Sequence, residues 1–359
     1  MHYWLVGMRG GEKVLEQIAQ LFPAAPIYTL VADPERLSSA LRRHPIHTSP
    51  LQRLPGAARH YKKLLPLFPA AIGALRVREP VDLVLSSDAS VIKGLAVPEH
   101  ARHVCYCHSP PRYLWDLQED YRQSSEVGGA VGRFVFNRVT PYVREFDRRA
   151  AARVTHFIAN SGFVRERIRN YYGVDAEIIY PPVALDAFPM SAGPPEDFHL
   201  VVSQLVPYKR IDVAVAAFTK IGRRLVVIGE GSERARLEAM AGPAVTFLGA
   251  QPGEVLQDHM RRCRAFVFPG VEDFGITPLE AMASGRPVIA YRAGGVRETV
   301  LDGTTGLFFD EQTPESLIGA LERADAMSFD PAACRAQAGR FGPERFRAEF
   351  AAYLERHLR

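Results

Sequence analysis

VEDFGITPLEAMASGRP, Val271 to Pro287, is the stretch that decides how this chain is read. It sets Glu272 and Glu280 on either side of a glycine-containing turn. Thr277 is expected as a helix N-cap, with Pro278 at the first helical position and Glu280 where a capping-box Glu falls. Gly285 and Pro287 stop that helix after about two turns. Phe274, Gly275 and Ile276 then present amides at a helix N-terminus, which suits a phosphate. The run before it, RAFVFPG (Arg264 to Gly270), reads as a buried strand. Strand, turn and helix place the motif at the carboxyl edge of a sheet, where open α/β folds bind ligands. A plainer reading stands beside this one: Glu280 only caps its helix, and Glu272 is a solvated loop acid.

The segments around the motif repeat its pattern. HLVVSQL, RLVVIGEG, VTFLG, PVIAY and GLFFD read as strands, and IDVAVAAFTKI, SERARLEAMA and GEVLQDHMRRC as helices between them. Apolar strands alternating with helices imply a parallel sheet covered on both faces. The first half does the same less regularly. HYWLVG is expected as a first strand, and Gly7, Gly10 and Gly11 as a turn that lets the backbone approach a ligand. Val14, Leu15, Ile18, Ala19 and Phe22 then follow at helical spacing. APIYTLV, VDLVLSSD, RHVCYC, THFIANS and AEIIYPPV supply further strands. His108 falls at a strand end, before a proline-fixed loop carrying Arg112, Tyr113, Trp115 and Asp116, and together these residues suggest a ligand site. ALDAFPMSAGPPED reads as a linker. Two domains are expected, 1–183 and 198–342, with a linker at 184–197 and a cleft between them.

Composition agrees with two cores and excludes some classes. The chain has 359 residues, 47% hydrophobic and 23% charged, too long for one ordinary core. No apolar run has the length of a membrane span, and MHYWLVG reads as a strand, not as a secretory leader. The four cysteines show no metal or disulfide spacing, and Cys105 and Cys107 are expected on opposite faces of a strand. A reducing cytoplasm is the expected home.

The net charge of +4 is unevenly spread. Residues 1–183 hold 24 Lys and Arg against 17 Asp and Glu. Residues 34–78 hold nine cations, among them Arg59, Lys62 and Lys63, and the single acid Glu35 before Glu79. An anionic partner or a merely solvated face explains this equally. Leu64, Leu65, Leu67 and Phe68 beside Lys62 and Lys63 fit a membrane surface or a core with a basic rim. Pro66 and Pro69 should break the helical pattern there. The segment lacks the interleaved aromatics of a nucleic-acid binder.

Lys209 and Arg210 follow the first strand of the second half, at the same sheet edge as the Thr277 helix start. Cations and helix dipole together can neutralise a diphosphate. Glu272 and Glu280 flank that position, and carboxylates beside a diphosphate make sense when they bind hydroxyls, a ribose at one end and a sugar at the other. A nucleotide-sugar has all three parts. There is no Asp-x-Asp pair, so a metal holding the diphosphate is not indicated, and no cofactor is expected.

LVPYKRIDVAVAAF, VIGEGSERARLE and EDFGITPLEAMASGRPVIAYRAGGVRET closely resemble family-four retaining glycosyltransferases of the GT-B fold. GMRGGEKVLE, CHSPPRYLWD and NSGFVRERIRNYYGVDAEIIYPPV extend the resemblance through the first half. The strings look most like bacterial mannosyltransferases of O-antigen and exopolysaccharide assembly. The resemblance implies an α/β chain of two Rossmann-like doubly wound domains facing across a cleft, with the segment 343–359 crossing back onto the first. It implies that Glu272 contacts the donor sugar and Glu280 the ribose. Lys209 would hold the diphosphate with the amides of Phe274, Gly275 and Ile276, the Gly10–Gly11 turn would close on the phosphates, and His108 would face the sugar. Glu230 and Gly231 would line the nucleotide side. Arg59, Lys62, Lys63 and Arg112 are expected to meet a lipid-linked glycan acceptor, in peripheral contact with the inner face of the cytoplasmic membrane. Mannose from GDP-mannose is the expected donor, with a UDP-sugar as the alternative. A binding protein without turnover is the competing class. Many relatives carry Arg where this chain has Gln204, so Arg210 is expected to compensate.

Overall fold

The computed structural model describes residues 1–123, 128–190 and 193–358. Two residues of the expected linker, Ser191 and Ala192, lie outside that set. The chain divides into two compact units, one of residues 1–123, 128–182 and 343–358, the other of residues 183–342.

The first unit carries β1 (Ile27–Thr29), β2 (Ile46–Thr48), β3 (Leu83–Asp88), β4 (Arg102–Cys107), β5 (His156–Ala159) and β6 (Ala176–Ile178). All pairings among them are parallel, in the orders β1-β2 and β3-β4-β5-β6. The opening stretch joins the two groups, because His2 bridges both Thr29 and Ser87, and Leu5 bridges Ala32. This corrects the expectation of a regular first strand. The stretch bends at Tyr3, and Trp4 turns onto Tyr61 with ring centroids 4.6 Å apart. Cys105 and Cys107 also need correction. They share one buried cluster with Phe157, Val164 and Ile168, as residues two apart on a strand must. The last helix, Pro343–Leu358, belongs to this unit. Its Phe346, Phe350, Tyr353 and Leu354 pack with Val14, Ile18, Val104, Tyr106 and Ile158.

The second unit holds β7 (His199–Val202), β8 (Leu225–Ile228), β9 (Val245–Gly249), β10 (Phe266–Phe268), β11 (Val288–Tyr291) and β12 (Gly306–Phe309). They form one parallel sheet, ordered β12-β11-β10-β7-β8-β9. Its core joins Val201, Val227, Val267 and Ile289 from the strands to Val213, Ala217, Phe218 and Leu321 from helices. The chain winds from β7 through β8 to β9 in one direction and from β10 through β11 to β12 in the other. The direction therefore reverses between β7 and β10, which pair directly through Leu200 and Phe266. In open α/β sheets such a reversal opens a crevice at the carboxyl ends of the two strands.

Candidate functional site

Two loops leave the sheet at that reversal. After β7 the chain makes one 3-10 turn, Pro207–Lys209, and enters the helix Ile211–Ile221. After β10 it passes through Pro269, Gly270 and Val271 to Glu272. Gly270 is what lets the loops meet, since a Cβ there would come within 2.8 Å of the Lys209 carbonyl oxygen. Lys209 Nζ pairs with Glu272 Oε1, and the two side chains are 15% and 23% exposed. Ser203, Ile211, Phe268 and Pro269 line the small cavity around the pair.

A third loop supports Glu272 from the β11 side. Gly295 donates its amide to the Glu272 carbonyl at 2.9 Å, and Gly294 forms a parallel bridge with Glu272. Gly294 has φ +75°, and its missing Cβ would press on the Glu272 carbonyl; a Cβ on Gly295 would lie 2.5 Å from Phe274 Cα. Glycine is required at both positions by close backbone approach. Sequence reasoning quoted this Gly-Gly pair only as part of a resemblance. A paired glycine just after a strand was the signal for its supporting role.

The helix beyond Glu272 starts earlier than expected. It runs Ile276–Ala283 with Gly275 as N-cap at φ +88° and no side-chain cap bond. Thr277 is thus the second helical residue and Glu280 the fifth, so the capping box is absent. The left-handed conformation open to Gly275 turns the chain into the helix two residues before Thr277. Without a capping side chain, the first-turn amides are left to an outside acceptor. Glu280 is 8% exposed, in the second turn of this helix.

The β8 edge adds the next pieces. Leu205 donates its amide to the Glu230 carbonyl at 3.0 Å, and Gly231 lies flat on the Leu205 backbone. Exposed Gln204 therefore stands beside Glu230 and Gly231 at one sheet edge. The Glu230 carboxylate pairs with Arg234, a partner that sequence reasoning missed. Arg210 does not stand with Lys209. At φ +52° it turns to Asp212, with Nε 3.2 Å from Oδ1, and its Nη2 donates to the Gln312 carbonyl at 3.3 Å. Its charge is met by Asp212, so compensation for Gln204 does not follow from its place.

In the first unit, His108 follows β4 and is fixed from three sides. Its Nε2 lies 2.7 Å from Ser87 Oγ, its amide donates to the Asp88 carbonyl at 2.8 Å, and Asn160 Nδ2 donates to its carbonyl at 2.9 Å. Ser87 Oγ also lies 3.1 Å from Nδ1 of buried His2. Burial, then neighbouring His108, hold the His2 imidazole well below its ordinary pKa, so it is neutral. Beside them lies a buried ionic cluster with no signal in the sequence. Lys93 Nζ contacts Asp88 at 3.2 Å and Asp147 at 2.5 Å, and Asp147 also accepts from Trp115 at 3.0 Å and Tyr172 at 2.8 Å. Burial lowers the Lys93 pKa, but Asp147, Tyr172 and Asp88 more than reverse this.

Arg112 lies 3.9 Å from Asp116, and its side chain is 13% exposed. Arg167 closes the same loop, donating to Asp116 at 2.6 Å and to the Pro110 carbonyl at 3.1 Å. Gly10 and Gly11 are not a free turn. They begin the helix Gly10–Leu21, and Gly11 is glycine because the Tyr3 hydroxyl occupies the place of a Cβ. Arg59, Lys62 and Lys63 are exposed, as are the other six cations of residues 34–78. Phe68 is buried in the core with Tyr61, and Leu64 and Leu65 pack against that core, whereas Leu67 is 47% exposed. Among the described residues no group of His, Cys, Asp and Glu gathers as a metal site. None of the helices described is long and apolar enough to cross a membrane.

Residues 8–187 match the family described as Glycosyltransferase Family 4, and residues 189–338 match Glycosyl transferases group 1. The chain is 32% identical over 282 residues to a GDP-mannose-dependent alpha-(1-6)-phosphatidylinositol monomannoside mannosyltransferase of Mycolicibacterium smegmatis, covering 68% of this chain and 73% of that one. It is 30% identical over 174 residues to an uncharacterized glycosyltransferase of Methanocaldococcus jannaschii, and there it spans only 46% of the relative's length. Among solved structures, Anabaena HepE in complex with UDP and glucose superposes with a TM-score of 0.70 at 17% identity, over 99% of both chains. Sucrose-phosphate synthase from Thermosynechococcus elongatus superposes with a TM-score of 0.68 at 21% identity, over 100% of this chain and 99% of that one. These likenesses show the fold, two Rossmann-like α/β domains of the GT-B type.

Proposed function

This chain belongs to glycosyltransferase family 4, and from that premise we propose that it transfers a hexose from a nucleotide-sugar to a glycan acceptor. The observation that carries the reading is the meeting of Lys209 and Glu272 at the reversal between β7 and β10, before the N-terminus of the helix Ile276–Ala283. An ammonium and a set of helix amides suit a diphosphate. A carboxylate in the same place suits sugar hydroxyls, which donate to it. Lys209 then takes the diphosphate with the amides of Phe274, Gly275 and Ile276. Glu272 takes the sugar and Glu280 the ribose, while Glu230, Gly231 and Gln204 border the nucleotide. In the first unit, His108 is the residue we single out, with its ring oriented by Ser87.

Retention of configuration follows if the diphosphate leaves from the face that the acceptor attacks, with its own oxygen taking the acceptor proton. No covalent enzyme intermediate and no metal are then required. Mannose from GDP-mannose is the donor we favour, because relatives at 30% identity and above are named for it. The exposed cations Arg59, Lys62 and Lys63, with Arg112, are assigned to a lipid-linked acceptor at the cytoplasmic membrane face. A UDP-sugar donor is the second reading, supported by the fold's likeness to a protein solved with UDP and glucose.

A panel of nucleotide-sugars scored for thermal shift and for hydrolysis tests this. The reading expects GDP-mannose to stabilise and turn over above the others. Preference for a UDP-sugar would move the chain to the second reading. Stabilisation without turnover of any donor, even with a glycan acceptor present, would contradict an enzyme.

A further inference from the structure

Three side chains of the first unit stand in a row across neighbouring backbones. His2 bridges Ser87, and the His108 amide donates to the Asp88 carbonyl, so the opening stretch, β3 and the end of β4 lie side by side. Tyr106 is the register partner of Ser87, and the step of two to His108 keeps it on the same face. The Ser87 hydroxyl reaches both rings, 3.1 Å from His2 Nδ1 and 2.7 Å from His108 Nε2. Ser87 and His2 are fully buried, so solvent does not compete for that hydroxyl.

One hydroxyl has one proton, so Ser87 donates to one ring and accepts from the other. The far side of His2 decides which. Its Nε2 is buried, and none of the described residues bonds it. A proton on Nε2 would leave a buried N–H without an acceptor, a rarer fault in proteins than an acceptor left short. A second observation agrees. Burial lowers the His2 pKa first and His108 next, while a hydrogen bond to the Ser87 backbone works to raise it. A bond that raises a basic pKa is donation from the ring to a carbonyl. Both observations put the His2 proton on Nδ1. Ser87 Oγ then accepts from His2 and gives its own proton to His108 Nε2. With that lone pair occupied, a neutral His108 keeps its proton on Nδ1.

We propose that His2, acting through Ser87, holds His108 as the Nδ1–H tautomer, so that His108 offers a hydrogen-bond donor and not a base. His2 and Ser87 are positioning residues. Held in this way, the imidazole can donate to a ligand oxygen but cannot take a proton from an acceptor hydroxyl. That agrees with leaving this proton to the donor diphosphate. The proposal rests on the reading above only for the use made of His108; the tautomer belongs to the free chain.

The test is nitrogen NMR of the whole chain with isotope-labelled histidine, without ligand, at about pH 8, above the ordinary histidine pKa of about 6.5. Protonated and bare ring nitrogens give separate signals, and His108→Asn identifies those of His108. Wild type should show both His108 and His2 protonated at Nδ1 and bare at Nε2. Ser87→Ala and His2→Phe should each release His108 into a mixture of tautomers. His2→Asn, whose amide can donate from the place of Nδ1, should restore the single one. Turnover of a nucleotide-sugar in Ser87→Ala should fall in proportion to the Nδ1–H fraction that the spectrum reads. The proposal is overturned if wild-type His108 is bare at Nδ1 or protonated on both nitrogens, a result that requires no variant to fold. It is equally overturned if folded Ser87→Ala keeps a single His108 tautomer, or if it shows the mixture and turns over as wild type does. If the tautomers behave as expected and wild type hydrolyses no donor, the failure lies with the reaction and not with this row of side chains.

Discussion

Glu272→Gln removes one charge and no volume, and it separates the two tasks assigned to the Lys209–Glu272 pair. With 15% and 23% of the side chains exposed, the pair is largely sheltered from solvent. A diphosphate reaching Lys209 must draw the ammonium away from a carboxylate, and then lie beside that carboxylate. A hydrogen bond to a charged group is worth about 1.5–3 kcal/mol. The repulsion left behind is bounded by about 4 kcal/mol per charge pair at 4 Å and an effective dielectric of 20. Part of each is recovered by solvent, so the variant should bind a bare nucleoside diphosphate tighter by about 1–2 kcal/mol, roughly 5–30-fold. Transfer should move the other way. Losing the charged acceptor for sugar hydroxyls should cost roughly 10–150-fold in turnover. Calorimetry with GDP and UDP reads the first effect, and product formation the second. In a Lys209→Met background the part of the gain that comes from breaking the pair should vanish, leaving only the part that comes from relieved repulsion. A variant that binds the diphosphate no tighter, while turning over normally, would show that the pair is structural and not part of the donor site.

Three further outcomes follow from the same geometry. Glu280→Ala should weaken nucleoside diphosphate binding roughly 10–150-fold by calorimetry, with partial rescue in Glu280→Gln, whereas a merely structural Glu280 would lower the melting temperature and leave affinity intact. Gly294→Ala should cost about 1–2 kcal/mol for a left-handed alanine, seen in thermal melts, and should also cut turnover by shifting Glu272. Gly303→Ala, at φ +76° with open space around it, carries the strain alone and should leave turnover unchanged. Burial, then Arg264 and Arg223, lower the His199 pKa from 6.5 to about 4. The unfolded chain therefore binds the extra proton, so stability is full above about pH 6.5 and falls as the pH drops toward 4, by about 3 kcal/mol at most. His199→Phe should flatten that acid limb in denaturant titrations; an unchanged slope would assign it to other groups.

The six strands of the second unit were legible because each is a short apolar run with helical spacing on either side. Their order was not. Leu200 and Phe266 pair across more than sixty residues, and no local pattern records that β10 returns beside β7. The site inherited this split. Lys209, Glu272 and Glu280 could be picked out as residues, but the pairing of Lys209 with Glu272 is a product of sheet order. Thr277-Pro278 imitates a helix start, and only the left-handed Gly275 shows why the helix begins earlier. In the first unit β2 has only three half-buried residues, Ile46, His47 and Thr48, and leaves little apolar signal. HYWLVG reads as a strand by composition, yet it bends at Tyr3. Lys93 and Asp147 lie 54 residues apart in sequence, and each alone reads as a surface charge.

The central claim is that a nucleotide-sugar sits at the reversal between β7 and β10, held by Lys209, Glu272 and Glu280. A crystal structure with the bound nucleoside diphosphate tests it most directly. The account predicts phosphate density against Lys209 Nζ and the amides of Gly275 and Ile276, with the ribose hydroxyls on Glu280 and Glu272 turned away from Lys209. Density at another sheet edge, or a bound nucleotide that leaves the Lys209–Glu272 pair closed, would contradict it.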